Sequence, residues 1–178
     1  MTDDVDTWDR LAALLPEAEA QEVKDCWDMG EQEAGLGLLV SGLLAHETPI
    51  SETTRAQLSV LAEAWGERER LTPQILQCRG ADQIAGVKLI ETDGGSVDEV
   101  LGEADHDPAG LVLVPWIACA RGGRVLMRAH TREPWGGLSY LAQHYAITSP
   151  DRAAVLRVFP PSSTTTAFAA LQRECECS

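Results

Sequence analysis

Four basic side chains and a tryptophan lie close together in the second half of the chain. Arg124, Arg128, His130 and Arg132 fall at even-numbered positions, so a strand through this segment would place them on one face. Trp135 follows beside two glycines. Because forked guanidinium groups bind phosphate, the segment is a candidate site for a phosphate-bearing small molecule. The same stripe also suits packing against the chain's own acidic helices, or a solvated sheet face.

Other groups of reactive side chains give weaker indications. Asp105, His106 and Asp107 have the residue types of metal ligands and acid–base catalysts, but adjacent loop residues rarely point at one ion. Cys119 and His130 would make a catalytic pair across a hairpin, yet the apolar run around Cys119 favours an inert buried thiol. The sequence has no phosphate-binding glycine loop and no nucleophile elbow. We therefore expect no catalytic residue, no metal and no cofactor.

A dense run of acidic residues lies near the start of the chain. The net charge is −14, and residues 1–70 hold 16 acidic against 5 basic residues, while residues 71–178 hold 12 against 9. Such a field favours a basic protein partner and opposes binding to nucleic acid or to an anionic membrane. A solubilising surface is the alternative interpretation. The run that we take as the candidate partner-binding surface comprises Glu17, Glu19, Glu22, Asp25, Asp28, Glu31 and Glu33.

The sequence also indicates a compartment. The first residues are acidic where a secretory signal would be basic and then apolar, and no apolar run approaches the roughly 18 to 20 residues of a membrane span. The cysteines are five in number and have no framework spacing, which predicts reduced thiols. Cys175 and Cys177 are expected on a frayed C-terminal tail. We therefore expect a cytoplasmic protein.

Helical signals dominate residues 1–80. Pro16 suits the first position of a helix and Gly30 its end, because proline lacks an N–H and glycine tolerates a left-handed backbone. Ser51 is a helix cap, and Thr72 with Pro73 predicts the start of a last short helix. These signals predict an acidic bundle of three or four helices.

After Gly80 the apolar period changes to that of strands. The three residues before Arg124 are Arg-Gly-Gly, which predicts a hairpin. The fold class is therefore α+β: the helical bundle of residues 1–80 packed with a small mixed β-sheet flanked by helices in residues 81–178, forming one compact unit. Strands are predicted at 84–91, 111–120, 124–131 and 153–159, and helices at 96–103, 138–145 and 167–173.

The order of features in the helical part resembles the MafI-like family of bacterial toxin-immunity proteins. The resemblance covers roughly residues 11–66: an acidic helix, an Asp-x-Gly-Glu corner at 28–31, an aliphatic helix, and Pro-Ile-Ser-Glu at 49–52 opening a third helix. The matching residues are Glu22-Val23, Asp28-Met29-Gly30-Glu31, Leu36 to Leu44, Pro49-Ile50-Ser51-Glu52, Leu58, Leu61-Ala62-Glu63 and Gly66. The resemblance implies a small acidic helical protein that neutralises a toxin encoded beside it. Residues beyond about 81 lie outside it.

Two functions are consistent with these features. The first is a non-catalytic immunity or antitoxin-type protein, whose acidic surface binds and blocks a cognate bacterial toxin. Toxins that cleave nucleic acid tend to have basic clefts, because their substrate is a polyanion. The alternative is a ligand-binding or regulatory domain that uses the arginine-rich strand. The sequence determines neither the toxin nor the oligomeric state.

Overall fold

The chain folds into two compact units, residues 1–83 and 84–178. The structure is a computed structural model, and it describes residues 2–81, 86–90 and 111–176. The first unit is helical and the second is built on a β-sheet, so the α+β class predicted from the sequence is confirmed. Whether the two units pack into one body stays a prediction. The helix predicted at 96–103 and the loop of Asp105, His106 and Asp107 lie outside the described residues.

The described residues of the helical unit form five helices where the sequence predicted three or four. Their limits follow the local signals closely: Gly30 adopts a left-handed backbone with φ +79° after the second helix, and the Ser51 hydroxyl accepts a hydrogen bond from the Thr54 amide at 3.0 Å. The helices are α1 (Thr2–Ala12), α2 (Glu17–Asp28), α3 (Gln32–Ala45), α4 (Glu52–Ala64) and α5 (Arg68–Gln77).

Helix α3 lies at the centre of the helical unit. Four of its large aliphatic residues have no exposed surface, and α3 contacts α2, α4 and α5. A Cβ atom added at Gly35 would lie 2.9 Å from Cys26 Cβ and 2.9 Å from Trp8 Cζ2, so this glycine lets the helices approach closely. Trp8 is itself buried, and its Nε1 donates a hydrogen bond to the Val23 carbonyl at 3.1 Å. The buried aliphatic residues of α3 are Leu36, Leu39, Val40 and Leu43.

The start of the last helix in this unit was predicted wrongly. Helix α5 begins at Arg68, and Pro73 lies inside it rather than at its first turn. Leu71 and Ile75, four residues apart, are both completely buried. Their burial on one helical face stabilises the helix through the proline, although Pro73 has no N–H to donate. Tertiary packing therefore overrides the local start signal.

The second unit contains an antiparallel sheet with strand order β1-β2-β3-β4-β5. All strand pairs among its described residues are antiparallel, which corrects the prediction of a mixed sheet. The turn before Arg124 does connect a hairpin, and Gly123 adopts φ +65° within it. The strands are β1 (Val87–Leu89), β2 (Val112–Cys119), β3 (Val125–His130), β4 (His144–Thr148) and β5 (Val155–Phe159), followed by helix α6 (Thr164–Glu176).

The sheet buries apolar residues on both faces. One face carries a cluster formed by Leu111, Leu113, Val125, Met127, Ala129 and Ala146. Alternation along β3 places Leu126, Arg128 and His130 on the opposite face. Ile117 pairs with Leu126, so Cys119, two residues further along β2, shares that opposite face. Helix α6 contacts β2 to β5 and is bonded to Cys119 through Cys175, which places α6 on the face that contains Arg128.

The helix predicted at 138–145 is not formed. Residues 131–143 are an irregular connection closed by a bridge between Arg132 and Leu138, and β4 begins at His144. The segment has helical spacing of apolar residues, but Leu141 is exposed while Tyr145 is buried in the sheet. Pairing of β4 with both β3 and β5 satisfies its backbone groups on two sides. A helix over residues 138–145 would lose the pairing of this segment with β3 and β5.

Candidate functional site

Helix α2 separates apolar and acidic residues onto two sides. Val23 and Cys26 are buried against the rest of the helical unit. Glu22, Asp25 and Asp28 succeed one another at three-residue spacing and are all exposed, so they extend along one side of the helix. The helix thus holds a row of carboxylates on a rigid support.

Six of the seven acidic residues predicted as a partner-binding surface are exposed. The exception is Glu19, which is partly buried and whose Oε1 lies 2.7 Å from Nε2 of His46. We use the name acidic surface for the other six residues: Glu17, Glu22, Asp25, Asp28, Glu31 and Glu33.

Cations do not neutralise the acidic surface in the described part of the chain. Lys24, the one basic residue within α2, turns away and pairs with Asp9 at 3.1 Å. Over the ranges 2–81, 86–90 and 111–176, no lysine, arginine or histidine forms an ion pair with any of the six carboxylates. Like charges three or four residues apart on a helix are destabilising by a few tenths of a kcal/mol. The acidic surface therefore costs the helix stability.

The field of these carboxylates reaches the buried thiol beneath them. The pKa of Cys26 is raised above its ordinary value of 9.0, first by desolvation and then by the charges of Glu31, Asp25 and Glu22. A neighbouring negative charge disfavours the thiolate. These three carboxylates thus act together as a region of negative potential around Cys26.

Met29 adds an apolar side chain to this region. It follows Asp28 at the end of α2 and is 67% exposed. Glu31 lies two residues beyond it. Flexible methionines are well suited to binding surfaces. The sequence pattern alone did not identify Met29 as a site residue, because a methionine before the terminating glycine fits a core position equally well.

The arginine-rich strand divides between the interior and the surface. Arg128 and His130 are both 2% exposed. The Arg128 Cζ lies 5.2 Å from the centroid of the Trp116 ring, and the His130 Nδ1 lies 2.8 Å from the Ser139 carbonyl. Helix α6 lies over this face, and sequence alternation could not reveal that cover. The face of β3 that was predicted to bind a ligand is therefore buried inside the second unit.

The remaining members of the arginine-rich segment lie outside β3. Arg124 precedes the strand and its Nη1 is 2.8 Å from Oε2 of Glu174 on α6. Arg132 is exposed, and its Nη1 lies 3.5 Å from the Gly136 carbonyl. Trp135 is 79% exposed. The five residues predicted for a ligand site thus occupy three different surroundings.

The cysteines differ from their prediction as reduced thiols. Cys119 forms a disulfide with Cys175, with 5.7 Å between their Cα atoms, and both residues are buried. Cys175 therefore belongs to a docked helix rather than to a frayed tail. Cys26 and Cys78 are free and buried, and Cys177 lies outside the described residues. The two bonded cysteines are 56 residues apart, so no local spacing signalled the pair.

Within the part of the chain that the structure describes, no three side chains among His, Cys, Asp and Glu are grouped so that they would hold a metal ion. In that same part, none of the helices has the length and apolar character needed to cross a membrane. Comparison with protein-family models, with curated proteins and with solved structures finds no match to this chain.

Proposed function

We propose that this chain is a non-catalytic immunity or antitoxin-type protein, which binds a cognate bacterial toxin and neutralises it. The observation that carries the proposal is the acidic surface of the helical unit. Its six exposed carboxylates have no ion-pair partner among the described residues, so a basic toxin surface would supply the missing cations. The resemblance of residues 11–66 to MafI-like immunity proteins agrees with this function.

The physical basis of neutralisation is occupation of a basic cleft. A toxin that acts on nucleic acid must attract a polyanion, so its cleft also attracts an acidic protein. Opposite potentials accelerate association, and this acceleration declines as the ionic strength rises. An acidic helix that is already folded would bind without the cost of ordering its backbone, since its backbone conformation exists before association.

Met29 is the apolar anchor that such an interface needs. Rim charges contribute mainly to association rate, whereas side chains that fill a pocket of the partner contribute most of the affinity. Met29 is exposed next to Asp28. We therefore assign the steering to the carboxylates and the lasting contact to Met29.

The alternative of ligand binding through the arginine-rich strand has less support. Arg128 and His130 are covered, and Arg124 is occupied by Glu174. A phosphate would have to displace packed side chains to reach these groups. Trp135 is exposed on the connection that follows β3, so it does not share their packed surroundings.

The test is a charge reversal on α2. The Glu22→Lys/Asp25→Lys variant should lower the association rate constant for the toxin encoded by the adjacent gene by at least about tenfold at low salt. The matched control is Glu133→Lys/Glu176→Lys in the other unit, which changes the net charge equally and should retain binding. Surface plasmon resonance at two salt concentrations measures both. Equal binding by the two variants would refute the role of the acidic surface, and absence of binding by the unaltered chain would refute the function.

A further inference from the structure

Three tryptophans of the helical unit form one cluster of rings. The ring centroids lie 5.4 Å apart for Trp8 and Trp27, 5.5 Å for Trp8 and Trp65, and 6.2 Å for Trp27 and Trp65. Trp8 is buried, whereas Trp27 and Trp65 are partly exposed. We use the name tryptophan pair for Trp27 and Trp65, which together present an aromatic surface to solvent.

The tryptophan pair lies where two helices end. Trp27 is the penultimate residue of α2, and Trp65 directly follows the last residue of α4. Because the two rings contact each other, the C-terminal ends of these helices come together here. The C-terminus is the negative end of a helix dipole and favours a cation, yet the last turns of α2 and α4 contain no basic residue. The helix ends therefore favour a positive charge that neither helix provides.

Carboxylates beside Trp27 add to this field. Asp28 follows it directly, and the backbone N–H of Glu31 donates a hydrogen bond to the Cys26 carbonyl at 2.8 Å, which holds Glu31 against the end of α2. Both carboxylates are exposed and have no ion-pair partner among the described residues. A cation on the ring is thus attracted by the π-system and by charge.

The chain's own cations do not occupy the tryptophan pair. Arg68 and Arg70 follow Trp65 in the sequence, but Nε of Arg68 lies 3.1 Å from Oε2 of Glu63, and Arg70 pairs with Glu67. In the described part of the chain, no lysine or arginine lies over either ring of the pair. A cation that binds there has to come from another molecule.

We propose that the tryptophan pair is a subsite for an arginine side chain of the protein partner. The inference rests on the proposed function, because it requires a partner protein with a basic surface. A planar and weakly hydrated guanidinium stacks on an aromatic face, and tryptophan is the strongest such face. Since the two rings touch each other, the guanidinium lies on their outward side, near Asp28 and Glu31. A lysine gains less, because its ammonium is strongly hydrated and does not stack.

Titration of the full chain with two acetylated peptide amides, hexaarginine and hexalysine, separates stacking from charge. The peptides carry the same charge, so the negative field alone binds them equally. The unaltered chain should bind hexaarginine about three- to fivefold more tightly in isothermal titration calorimetry. Trp27→Leu should abolish this preference, whereas Trp135→Leu, the matched control at a 79% exposed tryptophan of the other unit, should retain it. Equal affinity of the unaltered chain for both peptides, or a preference that survives in Trp27→Leu, overturns the proposal.

Nuclear magnetic resonance of the unaltered chain locates the contact even where Trp27→Leu fails to fold. Hexaarginine should shift the indole N–H resonances of Trp27 and Trp65, because both rings contact the guanidinium. The resonances of Trp116, which is buried, and of Trp135 should stay in place. Shifts that are absent from the tryptophan pair, or equally large at Trp135, overturn the subsite.

The toxin encoded by the adjacent gene separates this inference from the proposed function. Trp27→Leu should raise the dissociation constant for that toxin by about threefold or more, and Trp135→Leu should leave it unchanged. A toxin that binds all three chains equally overturns the subsite and leaves the proposed function intact. If the unaltered chain does not bind the toxin, the proposed function fails, and the peptide preference alone decides whether the tryptophan pair binds arginine.

Discussion

Replacement of Arg55 by methionine is expected to lower the free energy of unfolding of the helical unit. Arg55 belongs to α4 and is 7% exposed. Its guanidinium donates hydrogen bonds to the carbonyls of Ile75, Leu76 and Cys78 at the end of α5. The last carbonyls of a helix have no partner within it, and the negative end of the helix dipole favours a cation there. One side chain thus ties the end of α5 to α4.

The size of the effect follows from these contacts. A hydrogen bond to a charged group contributes about 1.5 to 3 kcal/mol, and a buried acceptor left without a donor costs about 1 to 3 kcal/mol. The three acceptors share one guanidinium, and the bond to Leu76 is only partly buried, so their contributions are not additive. The accompanying ion pair with Glu52, whose side chain is 30% exposed, adds less than about 1 kcal/mol. We expect Arg55→Met to lower the free energy of unfolding by about 3 kcal/mol.

Urea denaturation followed by circular dichroism measures this loss. With a slope of about 2 kcal/mol per M, the midpoint of the helical unit should fall by about 1.5 M. The matched control is Arg10→Met, because Arg10 makes exposed hydrogen bonds to Thr7 and Gln57 and should cost less than about 0.5 kcal/mol. If the two variants lose the same stability, the hydrogen bonds from Arg55 to the end of α5 do not contribute the stability assigned to them.

Two further predictions concern the interior of the helical unit. Gly35→Ala should lower the free energy of unfolding, measured by urea denaturation, by about 1 to 2 kcal/mol, because its Cβ would clash with two buried side chains. The control is Gly37→Ala, whose Cβ meets only the flexible end of an arginine and which should be neutral or stabilising. Burial raises the pKa of both Cys26 and Cys78, so the folded state holds these thiol protons more tightly than the unfolded chain does. The stability that they contribute is therefore complete below the unfolded thiol pKa of about 8.5 to 9 and is lost as the pH rises towards the higher folded pKa. The urea midpoint should fall between about pH 8 and pH 10, and Cys26→Ala/Cys78→Ala should reduce that fall; an equal fall in this variant would contradict the assignment.

The parts of the fold that were predicted correctly depend on short stretches of sequence. Ser51 caps α4 and Gly30 follows α2 because hydrogen bonding and backbone conformation at a helix end involve only a few neighbouring residues. The hairpin before β3 is equally local. The α+β class followed from the change of apolar period after Gly80, which needs no knowledge of tertiary contacts.

The errors occur where distant residues decide the structure. Pro73 signalled a helix start, but burial of Leu71 and Ile75 by other helices placed it inside α5. The segment 138–145 has helical spacing, but pairing with β3 and β5 makes its end a strand. The disulfide at Cys119 joins residues that only the fold brings together. Local patterns contain no information about such partners.

The candidate site shows the same division. The exposure of most acidic residues on α2 followed from helical period, because the sequence already indicated Val23 on the buried side. The burial of Arg128 did not follow from strand alternation, since alternation separates two faces without showing that α6 covers one of them.

The acidic surface departs from what the helical unit needs to fold. The row of carboxylates on α2 repels itself, and neutral polar residues at these exposed positions would leave the burial of Val23 and Cys26 intact. A local cost with no gain inside the unit is expected at functional sites. Stability of the single chain does not explain these carboxylates, whereas a basic partner on α2 would convert the cost into binding free energy.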